Sequence, residues 1–91
     1  MTDRKLRALT DEIKKLTEEL GVSNEQLAFL GEVADDARVR MLVEESPMAK
    51  RGYDEAASDL ERHRKNHLQL QGKLEGLRKR QDEMLEKFYG G

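Results

Sequence analysis

The sequence predicts an all-α protein built as an antiparallel helical hairpin resembling a coiled coil, and three observations predict it. Apolar residues recur at alternating spacings of three and four along most of the 91 positions, which draws a single stripe on a helix. No segment alternates apolar and polar residues with period two over strand length. The composition, 40% charged and 4% aromatic with no Trp, suits long solvated helices rather than a sheet.

The first arm opens with a seam at Leu6, Leu9, Ile13, Leu16 and Leu20, while Lys5, Arg7, Asp11, Glu12, Lys14 and Lys15 fill the other faces. A helix over 3–20 follows. Leu20-Gly21-Val22-Ser23 then carries several boundary signals together. Gly21 stands where a left-handed residue ends a helix, Ser23 with Gln26 forms a capping box, and Val22 with Leu27 is spaced as a hydrophobic staple. Yet the stripe keeps its phase through Ser23, Leu27, Leu30, Ala34, Ala37 and Met41. The expectation is a first arm kinked or interrupted near Gly21–Ser23, with its second helix over 24–44.

A turn is expected at 45–46, with Ser46 as N-cap and Pro47 as the first helical position of a long helix over 47–88. Gly52 is expected to loosen the first turns. The second seam runs through Tyr53, Ala56, Leu60, His63, His67, Leu70, Leu74, Leu77, Gln81, Met84 and Phe88, and the tail over 89–91 should fray. Antiparallel seams meet only in registers one heptad apart. The favoured register sets Leu30 against Leu60, Leu16 against Leu74 and Ile13 against Leu77, with Ser23 facing His67; its cost is that Leu27 faces His63. The whole chain reads as one helical-hairpin domain over 1–91.

A net charge of −2 offers no global attraction to nucleic acid or to an anionic membrane surface, so neither is an expected partner. Without Cys there is no disulfide framework and no thiolate nucleophile or ligand. The start MTDRKLRALTDEIKK lacks an apolar signal core, and no apolar run approaches the ~20 residues of a spanning helix, so a cytoplasmic protein is expected. There is no phosphate-cradling Gly-rich loop and no G-x-S-x-G, and two long helices offer little concave volume; no enzyme and no cofactor are expected.

Three features invite a functional reading. Asp59, His63 and His67 follow one another at i, i+4 and i+8, and two His at i and i+4 can chelate zinc. The intervening R-K-N lacks the Glu that a zinc hydrolase uses as base, and a polar seam layer that fixes register explains the same residues. The second feature is Leu16–Leu30, whose L-G-V-S corner resembles the turn of a DNA-binding helix-turn-helix, with Leu20 and Leu27 at its packing positions. That resemblance implies a reading helix carrying Asn24, Glu25, Gln26 and Glu32, with no Lys or Arg before Arg38 to neutralise phosphate.

The third feature is surplus apolar surface in Leu27–Val43. Phe29, Val33, Val39, Leu42 and Val43, with Met48, lie beyond what one neighbouring helix covers. Burying them by self-association would make a homodimer, an antiparallel four-helix bundle. A non-enzymatic protein–protein interaction module, acting as an adaptor or regulator through this face on itself or on another protein, is the function expected.

Overall fold

The computed structural model describes residues 2–89. Two α-helices account for nearly all of them, α1 over Thr2–Glu44 and α2 over Pro47–Tyr89, joined by Glu45 and Ser46. The expected interruption of the first arm is absent, since 21–23 are helical and α1 is one run of 43 residues. Gly21 does not adopt the left-handed conformation that a C′ residue needs. Its Ser23 neighbour does not cap a helix, because its hydroxyl is used elsewhere, as described below. At the other end α2 includes Tyr89, one residue beyond the expected limit, while the remaining tail residues Gly90 and Gly91 lie outside the described residues.

Two units divide the chain, Met1–Gly21 with Leu68–Gly91 and Val22–His67. In the first, Leu9, Leu16 and Leu74 are buried, and Leu6, Ile13, Leu20, Leu70, Leu77 and Met84 are half-buried. Gln81 enters this seam as a polar member, and its Nε2 donates to Thr10 Oγ1 at 3.1 Å. That hydroxyl in turn donates to the Leu6 carbonyl at 2.9 Å, so it both accepts and donates. Phe88 departs from the expected seam, at 46% exposed. Its ring packs edge-on against Tyr89 at 4.9 Å between centroids.

The second unit holds the turn. Ser23, Ala34 and Ala49 are its buried residues, with Leu27, Leu30, Ala37, Met41, Tyr53, Ala56 and Leu60 half-buried. Ser23 Oγ lies 2.8 Å from His67 Nδ1, a contact of the favoured register. Ala49 carries the seam one step nearer the turn than Tyr53. Helix α2 is regular from Pro47, so Gly52 does not loosen it. Alanine supplies much of this seam, and each alanine removes little apolar area from water compared with the leucines of the first unit.

Local chemistry closes the turn. Glu45 takes a left-handed backbone conformation with φ of 50°, and its N–H donates to the Met41 carbonyl at 3.1 Å, which ends α1 in the αL manner. Ser46 then caps α2: its Oγ accepts from the Ala49 N–H at 3.1 Å, and its carbonyl accepts from the Lys50 N–H at 3.1 Å. Pro47 occupies the first helical position, where no N–H is needed. No helix among the described residues is long and apolar enough to cross a membrane.

Candidate functional site

Beside the seam of α1 runs a second stripe in the Val22–His67 unit. Positions 22, 26, 29, 33, 36, 40 and 43 alternate by four and three, which keeps them in line along the helix. Val22, Phe29 and Val43 on it are exposed, Phe29 by 64% and Val43 by 77%, and Val33 is exposed at its edge. On α2, Met48 precedes the seam residue Ala49 as Val22 precedes Ser23 and Phe29 precedes Leu30. In an antiparallel pair equivalent positions share a flank, so Met48, 80% exposed, joins the same side.

Of the six residues expected to form one apolar interface, Phe29, Val33, Val43 and Met48 therefore share a face, and Val39 and Leu42 do not. All six are exposed. Helical residues are set about 100° apart around the axis. That spacing carries Val39 to the back of α1 and Leu42 to its other flank, so the six exposed residues divide into one stripe and two outliers. Val22 belongs to the stripe although the sequence places it as a staple to Leu27. Its spacing of seven from Phe29 is the signal that identifies it.

The stripe borders a shallow cleft of about 360 Å³ lined by Val22, Glu25, Gln26, Phe29, Leu30 and His63. His63 Nδ1 is 3.0 Å from the Asp59 carbonyl oxygen. A carbonyl only accepts, so Nδ1 carries the hydrogen. Around the apolar residues the rim is acidic. Glu25, Glu32, Asp35 and Asp36 are exposed, and no Lys or Arg occurs between Val22 and Ala37. On the facing arm Arg62 is paired with Asp59 at 2.6 Å.

Asp59, His63 and His67 are not brought together as a metal site. Eight residues along a helix turn the last about 80° away from the first. Each is also engaged separately: Asp59 with Arg62, His63 with a backbone carbonyl, and His67 with Ser23. Among the described residues no group of three His, Cys, Asp or Glu is placed to hold a metal ion. The helix-turn-helix corner is likewise absent as a turn, because 20–27 lie within α1. Its polar residues Glu25 and Gln26 line the cleft instead. No protein-family model matches the chain, and neither a curated protein nor a solved structure resembles it.

Proposed function

We propose that this chain is a non-enzymatic protein–protein interaction module, an adaptor or regulator working in the cytoplasm through the apolar flank of its turn-proximal unit. The observation that carries the reading is the alignment of Val22, Phe29, Val33, Val43 and Met48 on one exposed flank. Gln26, Asp36 and Arg40 interleave with these apolar residues, and exposed large apolar side chains gathered on one flank within a polar surround are characteristic of an interface.

Self-association is the simplest cover, with two hairpins closing an antiparallel four-helix bundle as a homodimer. Sedimentation equilibrium over a range of concentrations, with wild type and a Phe29→Lys/Val33→Lys variant, tests the homodimer. The expected result is a wild-type dimer and a variant that is helical by circular dichroism and monomeric. An unchanged assembly in the variant removes this flank from the interface.

A further inference from the structure

Resting on that reading, we infer that the flank at Val22, Phe29 and Val33 also docks a basic amphipathic helix of another protein, which displaces the second copy of this chain from it. Val22 and Phe29 are seven residues apart, or about 10.5 Å along the axis. That is the repeat of an apolar heptad seam on an incoming helix. Glu25 and Glu32 are also seven apart and lie on one side of this stripe, at the spacing of a flanking Lys or Arg in each heptad of the same partner. The Gln26 side-chain oxygen adds an acceptor at the cleft for such cationic donors.

Charge decides between the occupants. Between Val22 and Ala37 the stripe is bordered by Glu25, Glu32, Asp35 and Asp36 with no Lys or Arg among them, and Arg62 of the facing arm is held by Asp59, so this part of the rim presents net negative charge. An antiparallel two-fold pairing centred on the Val22–Val33 part of the stripe sets Glu25 and Glu32 of one chain against the same residues of the other. Like charges so placed oppose association, whereas a basic flank is attracted to them.

The test titrates full-length protein into two labelled 21-residue helical peptides, both with Leu at the a and d positions, one flanked by Lys and the other by Glu, at physiological salt. Fluorescence anisotropy is expected to show the Lys peptide binding at least about tenfold tighter. Glu25→Lys/Glu32→Lys should invert that preference, and Phe29→Lys/Val33→Lys should abolish binding of the Lys peptide. Glu83→Lys/Glu86→Lys, the same charge change in the other unit, should leave it intact. Equal affinities for the two peptides, or an equal loss in the Glu83/Glu86 variant, overturns the inference. If the preference is absent but the Phe29/Val33 variant still loses association of either kind, the interaction flank stands and only its basic partner falls. A wild-type dimer that excludes the Lys peptide gives the flank to a second copy. Binding and assembly both unaffected by Phe29→Lys/Val33→Lys removes the flank altogether.

Discussion

Ser23 Oγ and His67 Nδ1 meet at 2.8 Å across the two helices, with Ser23 only 9% exposed. This contact holds only in one register. A slip of one heptad sets His67 against Leu30 and Ser23 against Leu74, so that two polar groups enter apolar layers without partners. Each such group costs about 1–3 kcal/mol. The pair thus opposes the slip that the leucine layers alone would tolerate.

Ser23→Ala is expected to destabilise the protein by about 1 kcal/mol, because the half-buried His67 ring nitrogen loses its partner. Replacing both, as Ser23→Val/His67→Leu, should recover that loss or exceed it, since an unpartnered polar group no longer remains. Urea denaturation of the two single variants and the double one measures the coupling. Additive effects would show that the contact does not hold the layer.

Gly21 lies inside α1 with open space where a Cβ would stand. Gly21→Ala should therefore raise stability by about 0.5–1 kcal/mol, through helix propensity and a less free unfolded chain. Thermal melts distinguish this from the alternative. A residue required in a left-handed cap would lose stability on the same change.

The turn makes a pair of opposite predictions. Glu45→Gly relieves a non-glycine residue held at φ 50°, and a gain of roughly 0.5–1 kcal/mol is expected. Ser46→Ala removes the acceptor for the Ala49 N–H and should cost about 0.5–2 kcal/mol. Chemical denaturation in which both variants moved the midpoint in one direction would contradict this account of the turn.

Core truncations should separate the seam from the surface. Leu16 and Leu74 are buried, and changing either to Ala is expected to cost about 2–5 kcal/mol. Leu68 is exposed on α2, and Leu68→Ala should stay within about 0.5 kcal/mol of wild type. Similar losses at Leu68 and Leu74 would mean that the helix is rotated from the position described.

Zinc is expected to leave the melting temperature unchanged in wild type and in His63→Ala alike. The two imidazoles are engaged through Nδ1 with different partners, and Asp59 is held by Arg62. A zinc-dependent rise in wild type that disappears in His63→Ala would restore the metal reading, since a ligand stabilises only the state that binds it.

The sequence by itself determined the two seams. Every expected seam residue of α1, from Leu6 to Met41, is buried or half-buried, because spacing of three and four decides which side of a helix can be covered. Ser46 and Pro47 made the start of α2 legible for an equally local reason, a hydroxyl and a missing N–H within one turn. Phe88 keeps the spacing of the seam and is nonetheless exposed, because periodicity gives the side of the helix a residue lies on and not whether a neighbour covers it there. Tertiary structure decided the fate of Gly21–Ser23. Its capping signals are each worth about 1 kcal/mol, whereas a continuous helix keeps a whole stripe in phase and gives Ser23 a partner in His67. Tertiary structure also decided which exposed apolar residues of the two helices share a flank. Phe29, Val33 and Val43 share a flank with Met48, while Val39 and Leu42 turn away, since a common face depends on the phase of both helices and on how the hairpin pairs them.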